Sequence, residues 1–258
     1  DGFKGENTDS TMTKSLNYRP VENQDDEELY FKKSTKSAVE DLRDKIHDFK
    51  PDLIAVSCTE TTFNRALTLI RETRTLGVPN IFGGVFPTFA PDLVIKYEEV
   101  DTVCVGEGEN ALTEIASALA NDESYLHASN CWFKDDMGNI TKNPITKPVN
   151  VNELPAITDI GIFGEKRFYR PMGGKIRRLL PVETHRGCPY TCSFCNSPAQ
   201  NLLYGGGTSF LRKKSISMVQ QEIENHIEEW QVEYIYFWAD TFLAWSNEEF
   251  DEFCDMYQ

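Results

Sequence analysis

The sequence of 258 residues lacks any run that approaches the ~20 apolar residues of a membrane-spanning helix. It also lacks a charged segment followed by an apolar one at its start, so it shows no secretory signal. Basic residues are scarce, since 26 Lys and Arg stand against 41 Asp and Glu, for a net charge of -15. Such acidity argues against a nucleic-acid-binding surface, which needs a basic field.

Cysteines are odd in number, seven in all, and three of them lie in one short motif. This set does not suit a framework of paired disulfides, so we expect a reducing compartment and, without a signal segment, the cytoplasm. A hydrophobic content of 40% is enough for one large domain or two smaller ones. The chain opens with Asp1 and ends at Gln258 inside an apparent helix, so we expect a fragment of a longer protein.

The most informative feature is the run CPYTCSFC, which places Cys188, Cys192 and Cys195 at C-x3-C-x2-C spacing. Three close thiolates can hold three irons of a [4Fe–4S] cube, which normally takes four cysteines. The fourth iron is then open to a small molecule. A structural zinc with His185 or Cys254 as fourth ligand is the alternative, although zinc sites usually present two separated ligand pairs. We therefore expect the three sulfurs to share one iron–sulfur cluster.

This spacing, with the aromatic Phe194 just before the last cysteine, resembles the signature of the radical S-adenosylmethionine (SAM) family. The resemblance implies that SAM binds the open iron and that the reduced cluster cleaves it to a 5′-deoxyadenosyl radical. It also implies that Phe194 keeps water from the cluster near the SAM adenine. Asp240 falls where the family places a polar residue facing SAM, and a helix or turn cap is its alternative role.

For His185, beside the motif, we expect a supporting hydrogen bond rather than metal ligation. The electron would come from a reductant such as flavodoxin or ferredoxin.

Apolar strands and amphipathic helices alternate in the first half of the chain. The strands are expected at 53–57, 78–82 and 102–105, and the first helix begins with a capping box of Ser37 and Glu40. This alternation predicts a parallel sheet with helices on both faces. Ligands of such doubly wound sheets bind beyond the carboxyl ends of the strands.

Glycines follow the second and third of these strands, where they serve either a tight turn or the close approach of a ligand. The runs FGGVFPT at 82–88 and DTVCVGEGE at 101–109 are similar to the cobalamin-binding domain of B12-dependent radical SAM proteins. The D-x-H-x-x-G run that supplies a lower cobalt ligand in many such domains is absent from this sequence. The resemblance implies cobalamin contacts at these residues: Ser57, Thr59, Gly83, Gly84, Gly106, Glu107 and Gly108.

The expected fold class is α/β, with an incomplete doubly wound, Rossmann-like domain followed by the start of a (β/α) barrel. We assign the cobalamin-binding domain to 1–125, with 1–36 as loop, and a linker with a β-hairpin to 126–178. The radical SAM part follows at 179–258, and a whole barrel needs about 200 residues or more, so only its first part is expected here. Its helices are predicted to start at capping boxes of Ser217 with Gln220 and of Ser246 with Glu249.

The resemblance implies methylation of an unreactive centre, with cobalamin, SAM and the [4Fe–4S] cluster as cofactors. Two other functional hypotheses stay open. One is a B12-linked radical SAM oxidative cyclase or other radical rearrangement, and the other is a non-catalytic cobalamin- or metal-binding module. The open iron argues against the last, because a purely structural cluster needs no vacant position. The substrate is not readable from the sequence.

Overall fold

The computed structural model describes residues 35–135, 137–157, 159–164, 168–172 and 175–258. The loop predicted at 1–36 therefore lies almost entirely outside the described residues. The described chain forms two compact units. The N-terminal unit holds Ser34–Val149 and Thr191–Phe210, and the second unit holds Asn150–Tyr190 and Leu211–Gln258. Within the described ranges, no helix is both long enough and apolar enough to cross a membrane.

The N-terminal unit is built from strands and helices that alternate along the chain. They are α1 (Ala38–Phe49), β1 (Ile54–Ser57), α2 (Glu60–Thr73), β2 (Asn80–Gly83), α3 (Val85–Phe89), α4 (Pro91–Val94), β3 (Thr102–Cys104), α5 (Glu109–Ala120), β4 (Cys131–Lys134), β5 (Ile140–Lys142) and α6 (Ser197–Leu203). The capping box predicted for α1 is confirmed, since Ser37 and Glu40 exchange their side-chain and backbone hydrogen bonds.

The five strands form one sheet in the order β1-β2-β3-β4-β5, and β1, β2 and β3 run parallel. Ile81 and Phe82 are neighbours in β2 and belong to different core clusters, because successive side chains of a strand point to opposite faces. Phe63 of α2 packs with Phe82, and Ile115 of α5 packs with Ile81. Helices therefore cover both faces, which confirms the predicted doubly wound parallel arrangement for β1, β2 and β3.

The β-hairpin predicted within 126–178 is present, since β4 and β5 pair antiparallel, but it belongs to the first sheet rather than to a linker. β4 pairs antiparallel with β3, with Cys104 opposite Cys131 and Thr102 opposite Phe133. Cys131 and Phe133 are both buried, so alternate residues of β4 add to the core of the first sheet. The N-terminal unit therefore continues to Val149 rather than ending near residue 125.

The second unit is built around two neighbouring parallel strands. Its elements are β6 (Tyr169–Met172), β7 (Lys175–Glu183), β8 (His185–Arg186), β9 (Arg212–Lys213), α7 (Ile216–Trp230), β10 (Tyr234–Trp238) and α8 (Asn247–Tyr257). β10 pairs parallel with β7, β6 pairs antiparallel with β7, and β8 pairs antiparallel with β9. This strand–helix–strand arrangement is the kind of unit from which a (β/α) barrel is built. The barrel itself stays a prediction.

One local prediction in this unit needs correction. Ser215, not Ser217, caps α7, since its extended backbone lets its side chain accept a hydrogen bond from the Met218 N–H at 3.2 Å. β10 is apolar on both faces, yet its alternate residues Tyr234, Tyr236 and Trp238 are exposed. The capping box of Ser246 with Glu249 at the start of α8 is confirmed.

A buried ion pair holds the segments of the second unit together. The Lys214 Nζ lies 2.7 Å and 2.9 Å from the two carboxylate oxygens of Glu222, and the residues are 4% and 1% exposed. Glu222 also accepts a hydrogen bond from the Ile157 N–H at 3.0 Å, and the Lys214 N–H donates to the Thr184 carbonyl at 3.0 Å. The pair thus joins α7 to the end of β7 and to the chain near residue 157.

We predict that Lys214→Met lowers the free energy of unfolding by about 3–5 kcal/mol, because it leaves the Glu222 carboxylate buried without its partner. Lys36→Met is the matched control, since it removes an exposed pair with Asp44 and should cost only about 0–1 kcal/mol. Urea denaturation followed by circular dichroism measures both. A similar small loss in the two variants would contradict the prediction.

Candidate functional site

The carboxyl ends of the three parallel strands lie at one edge of the N-terminal sheet. Ser57 at the end of β1 stands opposite Gly83 at the end of β2, and Phe82 stands opposite Val103 in β3. Ser57 is exposed, and so is Thr59, which caps α2 directly after β1. The residues predicted to contact cobalamin thus lie at the carboxyl ends of these strands and on the loops that follow them, where doubly wound folds bind their ligands.

Position 84 requires glycine because of contacts inside the protein itself. Its φ is 95°, and a Cβ there would lie 2.9 Å from the Cys58 carbonyl oxygen and 3.0 Å from the Cys58 nitrogen. The Phe86 N–H also donates to that carbonyl, at 3.4 Å. The close approach that a side chain would block is therefore the packing of this loop against the end of β1.

The loop after β3 is held by contacts on several sides. The Gly106 N–H donates to Thr88 Oγ1 at 3.1 Å, and the Glu107 N–H donates to the Tyr204 hydroxyl at 2.7 Å. The Glu107 carboxylate accepts a hydrogen bond from the Val149 N–H at 2.9 Å, and its carbonyl accepts one from the Asn130 side chain at 2.9 Å. Glu107 therefore orders its own loop, and its contact with a corrin amide stays a prediction.

These loops fit a large cofactor in their chemistry and their exposure. Ser57 and Thr59 offer exposed hydroxyls, and the glycines at 83, 84, 106 and 108 are partly exposed, so main-chain groups are accessible there. Tyr204 and Asn130 were missed by the sequence reasoning. They lie 97 and 23 residues from Glu107, and no motif connects them to it.

In the second unit, the cysteine motif begins beside Asp240. The Gly187 N–H, one residue before Cys188, donates to Asp240 Oδ2 at 2.7 Å. Gly187 has a φ of 84°, which turns the chain sharply after β8. Asp240 Oδ1 has no hydrogen-bond partner among the described residues, so one oxygen supports the loop and the other remains available.

The last two cysteines lie in the part of the motif that belongs to the N-terminal unit. The Cys195 N–H donates to the Cys192 carbonyl at 3.2 Å, and the Ser197 N–H, at the start of α6, donates to Cys195 Sγ at 3.5 Å. Both thiols are exposed and free, and Cys188 is free and half-buried. An N–H directed at a sulfur stabilises a thiolate and is one of the contacts that tune iron–sulfur clusters.

The donor set fits an iron–sulfur cluster in its chemistry, because it offers three free, accessible thiols and one N–H⋯S hydrogen bond. Across the described ranges, however, no three His, Cys, Asp or Glu side chains form a group that could hold a metal ion. This differs from the expected gathering of the three sulfurs. The cluster assignment therefore depends on the spacing of the cysteines and on the donor type. The ring of Phe194 is 92% exposed, and its place beside SAM stays a prediction.

His185 is buried at the start of β8 and, among the described residues, takes no part in a group of possible metal ligands. Its Nδ1 lies 2.9 Å from Thr184 Oγ1, and its ring meets Trp245 edge-on at 4.1 Å between centroids. Burial lowers its pKa to about 4, so the imidazole is neutral at pH 7. The supporting role of His185 beside the cluster stays a prediction.

Comparison with known proteins finds one matching family model and several similar proteins. Residues 24–116 match the family model of the B12 binding domain. The chain is 30% identical over 167 residues to the anaerobic magnesium-protoporphyrin IX monomethyl ester cyclase of Rubrivivax gelatinosus, covering 60% of this chain and 28% of the cyclase. It is 28% identical over 193 residues to the cobalamin-dependent radical SAM methyltransferase TokK of Streptomyces tokunonensis, covering 72% of this chain and 27% of TokK.

Solved structures show the same fold. The cobalamin-dependent SAM radical enzyme OxsB, with aqua-cobalamin and SAM bound, aligns with a TM-score of 0.63 at 21% identity, over 85% of this chain and 30% of OxsB. The methyltransferase TsrM of Kitasatospora setae, with cobalamin and a [4Fe–4S] cluster bound, aligns with a TM-score of 0.56 at 17% identity, over 84% of this chain and 42% of TsrM. The chain thus spans less than half the length of each of these proteins.

We predict that Gly84→Ala destabilises the cofactor-free protein more than Gly77→Ala does. Both glycines have positive φ, 95° and 71°, but only the new Cβ at 84 meets backbone atoms, since nothing lies within 4 Å at 77. Gly77→Ala should cost about 1–2 kcal/mol for its left-handed backbone, and Gly84→Ala should cost more. Thermal unfolding without cobalamin tests this. Equal losses would show that the Cys58 contact does not determine the glycine.

Proposed function

Because this chain belongs to the B12-binding, cobalamin-dependent radical SAM protein family, we propose that it takes part in the reductive cleavage of SAM. The cleavage would occur at a [4Fe–4S] cluster and yield a 5′-deoxyadenosyl radical, which activates a substrate for methyl transfer to an unactivated centre. Bound to this chain, the cluster would supply the electron for cleavage, and cobalamin would carry the methyl group. A reductant such as flavodoxin or ferredoxin would be the partner.

The observation that carries the proposal is the hydrogen bond from the Gly187 N–H to Asp240 at the start of the cysteine motif. β7 and β10 run parallel, so both strands end at the same edge, where (β/α) folds place their chemistry. Cys188, Cys192 and Cys195 would hold the cluster. The second oxygen of Asp240 would accept a charge-assisted hydrogen bond from the SAM ammonium or ribose hydroxyls.

The N-terminal unit would hold cobalamin on the loops that follow β1, β2 and β3. The exposed Ser57 and Thr59 offer hydroxyls, and the loops at 83–84 and 106–108 offer main-chain groups. The protein supplies binding and orientation, and the cofactors supply the difficult chemistry.

A ring-forming oxidative cyclisation is the second candidate, because a cyclase is among the relatives at 30% identity. Isotope transfer separates the two reactions. Label from the SAM methyl group appears in the product of a methyltransferase and is absent from the product of a cyclase. A non-catalytic module would give neither 5′-deoxyadenosine nor labelled product.

We predict that the full-length protein, reconstituted with iron and sulfide without oxygen, forms a brown [4Fe–4S] protein that cleaves SAM. Combined replacement of Cys188, Cys192 and Cys195 by Ala should abolish the colour and the 5′-deoxyadenosine. Cys254→Ala, which changes a cysteine outside the motif, is the matched control and should retain both. Stoichiometric zinc without iron in the purified protein would refute the cluster assignment.

We predict that Asp240→Asn weakens SAM binding by about 10- to 100-fold, the loss of one charge-assisted hydrogen bond. Its iron content should stay unchanged, because the amide oxygen still accepts the Gly187 N–H. Asp240→Ala removes that acceptor as well, so it should also disturb the cysteine loop and lower the iron content. Equilibrium binding of SAM and iron analysis measure both effects.

If Asp240→Asn binds SAM normally while Asp240→Ala loses iron, Asp240 serves the loop alone. That result would end its proposed role in binding SAM.

A further inference from the structure

The helix that follows the cysteine motif belongs to the N-terminal unit. α6 begins at Ser197, two residues after Cys195, and Tyr204 is its C-terminal cap. Leu203 packs against the core cluster that contains Phe82 and Val103. One short helix therefore connects the segment of Cys192 and Cys195 with the sheet that carries the B12-binding match.

Tyr204 reaches the loop after β3 directly. Its hydroxyl accepts the hydrogen bond from the Glu107 N–H at 2.7 Å, and its ring stacks on Phe210 at 6.1 Å between centroids. A Cβ on Gly106 would lie 2.4 Å from that hydroxyl oxygen. A side chain at position 106 would therefore clash with Tyr204, so this position requires glycine. The position of the loop thus depends on the position of α6.

We propose that Tyr204 is a positioning residue that couples the cysteine segment to the loop assigned to cobalamin. The inference rests on the proposed function. Assembly of a cluster on the cysteines would order the segment that leads into α6, and Tyr204 would then fix the loop at Gly106 and Glu107 in its binding conformation. By linkage, cluster assembly would tighten cobalamin binding, and cobalamin would tighten cluster binding by the same factor.

The first test measures the Kd of hydroxocobalamin for the full-length protein with and without a reconstituted cluster, by anaerobic absorbance titration. We expect the cluster to tighten cobalamin binding by roughly 2- to 10-fold, the worth of one hydrogen bond. In Tyr204→Phe this dependence should disappear, while the iron bound per chain stays unchanged. Tyr190→Phe, within the motif and exposed, is the matched control and should keep the dependence.

The outcomes separate this inference from the proposed function. If the wild-type protein binds no cobalamin or no cluster, the proposed function fails and the inference fails with it. If it binds both, and the Kd of cobalamin does not respond to the cluster or responds equally in Tyr204→Phe, the inference alone is wrong.

A second test needs no cofactor. Gly106→Ala should reduce the folding equilibrium constant less in a Tyr204→Phe background than in the wild type, because the hydroxyl that meets the new Cβ is gone. Gly138→Ala is the control, since Gly138 also has a positive φ, 83°, but nothing lies within 4 Å of its Cβ position. Its effect should be the same in both backgrounds. Additive effects for Gly106→Ala and Tyr204→Phe would overturn the contact on which the proposal depends.

Discussion

The parallel pairing of β7 with β10 is the constraint on which the cysteine motif depends. The register from Tyr234 opposite Leu179 to Trp238 opposite Glu183 brings the two strand ends to one edge, and the Thr184 N–H extends the ladder to the Trp238 carbonyl at 3.1 Å. Only then can Asp240 meet the Gly187 N–H, although 53 residues separate them in sequence. The motif supplies the thiols, and the pairing of the strands determines where they begin.

Local features were predictable, and features that depend on distant partners were not. The capping boxes that start α1 and α8 were predicted correctly, because Ser37 with Glu40 and Ser246 with Glu249 contain the whole interaction within four residues. The start of α7 was missed, because Ser215 and Ser217 are both suitable caps by residue type. The hairpin was predicted at its correct position, but its membership of the first sheet was not, because its pairing with β3 joins residues about 30 positions apart.

Gly84 and Gly106 show that a residue assigned to ligand binding from sequence can be needed for packing within the protein. The sequence places Gly84 and Gly106 at the carboxyl ends of strands, where a cofactor would approach. In the structure the atoms nearest to a Cβ at these positions belong to Cys58 and Tyr204. Glycine at these two positions lets the protein pack against itself. A bulky substitution alone therefore cannot distinguish the two causes, whereas a matched glycine with free space around it can.

The course of the chain around the motif explains why a division by sequence order describes this protein incompletely. β8 pairs with β9, so His185 stands opposite Lys213 and Arg186 opposite Arg212. Between these paired ends, Thr191–Phe210 leaves the second unit and packs with the N-terminal unit. Cys188 is therefore positioned by β8 and Asp240, whereas Cys192 and Cys195 lie next to a helix anchored by Leu203 and Tyr204.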